Sequence, residues 1–411
     1  MRLELVIIVG ILLIATPPFL KGTEAAKILY IGGTMALTGA YAEDTAAALA
    51  AFEDYAKYVN ETKNLAPWRK DKFPADITLE VLWRDDELKP AKALSIFEEL
   101  KAKGILVFRA SGSPQALAIK DRLWAERMGA TSQAVGPYLL TPPQSILTNT
   151  PLYTDDLAAI ADWFKANWKE ARKPRVAYLT ADNAFGRAIE IPELKAYLEK
   201  TGYEFAGAQY VPLVPTAPPT TQLMWLKENK VDLALGIMVN PGAQPTIKEA
   251  VRLGMGLHLG YKIAFGFGGA CPSAIFERDM GKLGDGVLIA GSQPTWGRDL
   301  PGVKFSTELQ KKYHPDKWVS DGSYFSGMAE VMAQVEALRL ALKEVPFEKL
   351  TPRAVLEHGF YKIKNLETGG LSSTPLTYAP GKIEGVDAVR VDQLQKGKII
   401  KLGVWPCRHL Y

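Results

Sequence analysis

Between Lys27 and Asn60 the chain reads KILYIGGTMALTGAYAEDTAAALAAFEDYAKYVN. A short apolar run breaks at glycine-rich turn chemistry and gives way to helical spacing. Ile28 to Met35 has the pattern of a strand buried on both faces, Thr38-Gly39-Ala40 is a turn, and Leu49, Phe52, Ala56 and Val59 recur along one helix face. Strand, turn and helix in that order confine a chain to an open parallel sheet. The turn beyond such a strand faces the crevice in which ligands sit.

The unit then repeats. Ile77–Trp83 is a second strand closed by Arg84-Asp85-Asp86, and Pro90 opens a helix to about Lys103. Gly104–Phe108 is a third strand, followed by Arg109-Ala110-Ser111-Gly112-Ser113-Pro114 and a helix to about Met128. In that turn Ser113 reads as an N-cap before Pro114, while Ser111 and the amides around Gly112 point where an anion is held. Thr131–Gly136 is a weak fourth strand, and the helix Thr154–Ala171 turns Trp163 and Trp168 inward. A second round follows, with strands at Arg175–Thr180, Phe205–Val211, Val231–Met238, Lys262–Phe267 and Gly286–Ser292. Helices run from Asp182-Asn183-Ala184-Phe185-Gly186 to Lys200, over Thr221–Asn229, and from Asn240 to Leu253. Gln293–Trp296 is the return crossing, after which helices near 303–313, 321–343 and 352–358 rebuild the first half. Gly385–Gln393 and Lys398–Trp405 form a closing hairpin on the second.

With 411 residues the chain is long for one core, and two domains of about 150–200 residues are expected. A net charge of +4 without clustered Lys/Arg runs argues against a nucleic-acid partner. Arg2, the apolar run Leu5–Ala15, Pro17-Pro18 and Glu24-Ala25-Ala26 read as a cleaved signal peptide over residues 1–26; the run is short for about 30 Å of hydrocarbon. An uncleaved anchor is the alternative, and no cysteine near the cut supports lipid attachment. In an exported chain Cys271 and Cys407 are a candidate disulfide pair, although their separation in sequence does not say whether they meet. The four histidines form no ligand-like spacing, so neither a metal nor a cofactor is expected. No GxSxG elbow, P-loop, HExxH or strand-borne GxGxxG is present, which argues against an enzyme.

In order and spacing, IGGTMALTGAYAED, ITLEVLWRDDE, GILVFRASGSPQALA, VAYLTADNAFGRA, VDLALGIMVNPGAQPTIKEAVRLG and GVLIAGSQPTW resemble the periplasmic substrate-binding proteins of the leucine/isoleucine/valine-binding type. The resemblance spans roughly residues 27–405. It implies an α/β fold of type I: two Rossmann-like lobes, with parallel sheets flanked by helices, joined by a multi-strand hinge. Lobe 1 is expected over 27–147 plus 296–360, and lobe 2 over 148–295 plus 361–411. The implied activity is closure on a small solute and its delivery to the permease subunits of an ABC transporter, by a monomer outside the cytoplasm. A bilobal sensor reporting to a signalling receptor is the alternative, and a neighbouring permease and ATPase gene separates the two.

By the same resemblance Tyr41 gives an aromatic face to the cleft, Ser111, Gly112 and Ser113 hold a ligand carboxylate, and Ala134 and Gly136 add backbone contacts. Phe185, Met238, Asn240 and Gly268 line the opposite wall. One departure bears on the solute. Amino-acid binders of this type hold the α-ammonium with an acid on the loop corresponding to Phe267-Gly268-Gly269-Ala270-Cys271, and none stands there. A desolvated ammonium without a counter-charge costs several kcal/mol. A carboxylate, an amide or an aromatic acid is therefore expected, with Asp182, Asp44 or Glu43 as substitute acids. Asp85-Asp86 reads as solvated surface, with Asp85, at a strand end, the exception that a helix amide rather than a substrate would hold.

Overall fold

A computed structural model describes residues 27–139, 145–269, 274–315 and 322–411. The leader read over 1–26 and Cys271 lie outside the described residues.

β1 (Lys27–Met35) pairs in parallel with β2 (Ile77–Asp85) along its whole length, from Lys27 opposite Ile77 to Met35 opposite Asp85. β3 (Phe108–Ala110), β4 (Ala130–Ser132) and β5 (Ile146–Leu147) form a second parallel group, with β1 lying beside β3. Gly33 explains that approach: at φ +146°, a Cβ there would stand 2.3 Å from the Arg109 carbonyl oxygen. No larger residue fits between the two backbones. Helix Ala42–Thr62 buries Phe52, Tyr55 and Val59 against Tyr324, Phe325, Met328 and Met332 of helix Ser323–Glu344, making the core of the first half.

The second half is one seven-stranded sheet. β6 (Arg175–Ala181), β7 (Glu204–Val211), β8 (Leu233–Ile237), β9 (Ala264–Gly268) and β10 (Leu288–Gly291) run parallel, and the hairpin β11 (Ala388–Gln395) and β12 (Lys398–Pro406) adds antiparallel, in the order β12-β11-β10-β9-β8-β6-β7. An α/β fold with parallel sheets flanked by helices is thus present in both halves. No helix among the described residues is long and apolar enough to cross a membrane.

Several boundaries differ from the expectation. The third strand begins only at Phe108, because Ile105 and Val107 are buried as the chain leaves helix Pro90–Ala102, before any ladder forms. The helix expected to run on from Phe185 is split by Pro192 into a 3₁₀ turn, Gly186–Ile189, and helix Pro192–Lys200. Helix Tyr153–Asn167 ends early, and Trp163 and Trp168 stay partly exposed at its rim. Residues 361–387, expected with the second lobe, send Leu366, Leu376 and Tyr378 into the first core, and the chain rejoins the second sheet at Ala388.

Three segments pass between the halves and bond to one another. Thr148 N donates to the Ile383 carbonyl at 2.9 Å, Gly385 N to the Thr148 carbonyl at 2.8 Å, and Ser373 N to Ser292 Oγ at 2.8 Å. Trp296 stacks on Phe325 at a centroid distance of 4.1 Å where the second of these segments returns. The resulting hinge is three crossing segments joined by hydrogen bonds.

Candidate functional site

The turns that follow β1, β3 and β4 meet the turn that follows β6 at a cavity of about 40 Å³. Tyr41, Ser111, Gly112, Ser113 and Ala134 line it from the first half, and Phe185 from the second. The walls are in contact: the Tyr41 and Phe185 rings meet edge to face at 5.9 Å, and Tyr153 meets Phe185 at 5.4 Å. This is a cleft drawn nearly shut, with room left inside for a few waters.

Its polar floor rests on buried chemistry. Thr34 Oγ1 donates to the Arg109 carbonyl at 3.3 Å and accepts from Ser111 N at 3.1 Å, which fixes the turn after β3. Asp86 is fully buried, contrary to the surface reading, because Ser111 Oγ donates to its Oδ2 and Leu88 N to its Oδ1 at 2.9 Å. Burial raises the Asp86 carboxyl above its ordinary range, against the opposing pull of those donors. Asp85 ties the neighbouring loop, accepting from Leu37 N at 3.0 Å and Glu87 N at 2.9 Å.

Ser113 is not the cap expected of it. Gly112 holds the N-cap position of helix Ser113–Ala125, with no side-chain cap, and Ser113 Oγ is buried without a hydrogen bond of ordinary geometry. The same helix start carries backbone amides that have no intrahelical acceptor. Gly112 is needed for space: a Cβ would stand 2.8 Å from Gln115 Oε1 and 3.4 Å from the Tyr41 ring. Burial drives the Tyr41 phenol far up, and the Tyr153 phenol up to about 12, so both are neutral hydroxyls.

Four expected residues lie elsewhere. Gly136 is small because a Cβ would strike the Tyr138 ring at 2.2 Å, and Gly268 because one would strike Asp156 Cβ at 2.6 Å. Met238 is buried in the core on the other face of the second sheet, among Leu179, Val211 and Phe267. Asn240 is buried at the start of helix Asn240–Arg252, outside the cavity lining. Gln133, Tyr153, Asp44 and Thr45 line the cavity without having been read as site residues; Asp44 had been named only as a substitute acid. Of the other two substitutes, Asp182 is exposed and bonded to Arg187 at 2.7 Å, and Glu43 is exposed. An acid does reach the Gly268-Gly269 loop from a helix: Asp156 Oδ2 accepts from Gly269 N at 2.9 Å. Complete burial pushes that carboxyl well above the carboxylate range, and it does not line the cavity. Cys407 is a buried free thiol. Among the described residues the cleft lining offers no His or Cys ligand for a metal.

A family model described as periplasmic binding protein matches residues 29–376. Among curated proteins no match is found. Solved structures are similar over nearly the whole chain. A branched-chain amino acid ABC transporter from Thermus thermophilus with bound valine is 21% identical, with TM-score 0.80, covering 93% of this chain and 97% of its own. A fatty acid ABC transporter substrate-binding protein from Thermomonospora curvata is 20% identical, with TM-score 0.76 and 93% coverage of both chains. A solute-binding protein from Rhodopseudomonas palustris BisB5 in complex with 3,4-dihydroxybenzoic acid is 18% identical, with TM-score 0.74, covering 92% and 98%.

Proposed function

Because this chain belongs to the periplasmic binding protein family, which works outside the cytoplasm, we propose that it is the solute receptor of an ABC transporter and closes on a small organic carboxylate or amide without an α-ammonium. It is a binding protein and not an enzyme. The observation that carries the reading is the cleft between the halves, on which the Ser111–Ser113 turn and the Tyr41, Tyr153 and Phe185 rings converge. A solute seated between the walls parts the Tyr41–Phe185 contact and selects the state in which both halves close on it. Export by a cleaved leader and hand-over to permease subunits belong to the same proposal.

The chemistry of the lining supports the solute class. The amides at the start of helix Ser113–Ala125 and the Ser113 hydroxyl, which stands beside the Tyr138 and Tyr153 phenols, lie on the side where a carboxylate docks. Three aromatic rings supply an apolar sleeve for the rest of the molecule. Valine and 3,4-dihydroxybenzoic acid, named with two of the similar structures, both carry a carboxylate. Among the described lining residues Asp44 alone is acidic, and it is half-exposed, a weak partner for a desolvated ammonium. In calorimetry against matched pairs, an aromatic or branched aliphatic acid is expected to bind at least about tenfold more tightly than its α-amino counterpart, the equivalent of about 1.4 kcal/mol. Tighter binding of the amino acid overturns the solute class, and binding of neither acids nor amides overturns the receptor reading.

The Ser111–Asp86 pair adds a pH dependence. Ionised Asp86 takes the only proton of Ser111, which then shows lone pairs to the cleft. Protonated Asp86 donates to Ser111 Oγ instead, and the Ser111 proton turns to a ligand carboxylate. Since burial raises the Asp86 carboxyl, carboxylate affinity is expected to rise by roughly tenfold as pH falls through that raised range. In Asp86→Asn the amide oxygen keeps the Leu88 amide and the NH₂ group faces Ser111, so binding stays tight and loses its pH dependence. An unchanged pH profile in this variant refutes the switch.

A further inference from the structure

Outside the cleft, the segment that follows β12 folds back on helix Tyr153–Asn167. Thr154 Oγ1 donates to the Leu410 carbonyl at 3.0 Å, and Arg408 reaches Asp162 at 2.6 Å. That fold brings His409 onto two buried acids. Asp155, in the first turn of the helix, is 1% exposed, and Glu384, in the third crossing segment, is 4% exposed. His409 Nδ1 lies 3.0 Å from Glu384 Oε2, and ligand atoms of all three residues lie within 4.8 Å of one another.

We propose that Asp155, Glu384 and His409 form a divalent transition-metal site, suited to Zn²⁺, that fastens the segment after β12 to the hinge. The donor set fits that ion. One imidazole nitrogen and two carboxylates are three ligands of a tetrahedral zinc centre with its fourth position open, whereas calcium takes six to eight oxygens. Asp155 Oδ1 is held by His409 N at 2.8 Å and Arg408 N, while the buried Oδ2 makes no hydrogen bond of ordinary geometry and faces the Glu384 carboxyl. Glu384 Oε1 is oriented by Leu152 N at 3.1 Å, leaving Oε2 to face His409. The backbone amides thus aim one oxygen of each acid into the cluster, the kind of outer support that metal ligands require. Among the described residues neither acid pairs with a lysine or arginine. A cavity of about 300 Å³ lined by His409, Glu384, Lys382 and Tyr411 gives the ion a way in and room for a bound water.

Glu384 stands beside Thr148 in the hinge, bridged to it in parallel, so a bound ion ties the crossing itself to helix Tyr153–Asn167. The ligands come from three distant parts of the chain, which is why histidine spacing gives no sign of them.

The test uses the full chain freed of metal with EDTA. Zn²⁺ titrated by calorimetry is expected to bind at one equivalent with micromolar or tighter Kd and to raise Tm, and Co²⁺ to give the visible absorption of a four-coordinate centre. His409→Ala is expected to weaken Zn²⁺ binding at least about tenfold, and Glu384→Gln likewise, while His258→Ala leaves it unchanged. The His409 side chain is 44% exposed, so its removal leaves the fold intact even if the Glu384 variant does not fold. Millimolar binding, or binding that survives His409→Ala, overturns the site.

Discussion

Glu330→Ala is expected to lower the free energy of unfolding by about 3–5 kcal/mol, read as a fall in the urea midpoint. Glu330 Oε2 accepts from Arg109 Nε at 3.0 Å, and neither side chain has any exposure. Thr131 Oγ1 donates to the same oxygen at 3.3 Å, and Arg109 Nη1 to the Thr34 carbonyl at 3.2 Å. Removing the acid strands a guanidinium with no water to solvate it, and that penalty exceeds whatever the pair contributes when intact. Arg109→Met with Glu330→Leu removes both charges together, so the double variant is expected to recover most of the loss. If Glu330→Ala costs less than about 1 kcal/mol, water reaches the pair and the argument fails. The pair also bears on the cleft. Arg109 leads into Ser111 along β3, and Thr34, which it holds, accepts the Ser111 amide. Glu330→Ala should therefore weaken solute binding even where the protein remains folded.

None of that network is legible in the sequence, where Arg109 and Glu330 are two charges in a strand end and a long helix. The strand–turn–helix units are legible because each strand is an apolar run that ends in turn chemistry, and β1, β2 and β6 fall within two residues of expectation. β5 is two residues long and has no period to detect. At the cleft, Ser111 and Gly112 are legible as a turn beyond a strand, whereas Tyr41, Ser113, Ala134 and Phe185 are reached only through the family resemblance; all six line the cavity. Tyr153 is reached by neither route: on its helix it has the same apolar spacing as the core residues Leu157 and Ile160. Gly136 and Gly268 misled for a physical reason, since a glycine after a strand marks close approach without saying whether the visitor is a ligand, the Tyr138 ring or Asp156. Asp86 misled because an Asp-Asp pair after a strand does not show that only the second acid turns inward.

Tyr41→Ala combined with Ser113→Ala is expected to weaken binding of the preferred carboxylate by about 10²–10³-fold in calorimetry. Two separate losses make up that figure. The Tyr41 ring is 9% exposed and packs edge to face on Phe185, so its removal takes away a wall of the sleeve and the contact that holds the halves together; an aromatic pair is worth about 0.5–1.5 kcal/mol beyond the area it buries. Ser113 Oγ is a buried hydroxyl with no bond of ordinary geometry to compensate, and a hydrogen bond to a charged group contributes about 1.5–3 kcal/mol. The sum, about 2–4.5 kcal/mol, spans that range of affinity. The single variants discriminate between the two contributions. Ser113→Ala should reduce affinity for a carboxylate far more than for the matching amide, because only the former loses a charge-assisted bond, whereas Tyr41→Ala should reduce both alike. Ser111→Ala in place of Ser113→Ala should abolish the pH response as well, since it removes the group that Asp86 controls. If the double variant binds like the unaltered protein while its melting curve shows it folded, the solute docks elsewhere and the shut cleft is packing alone.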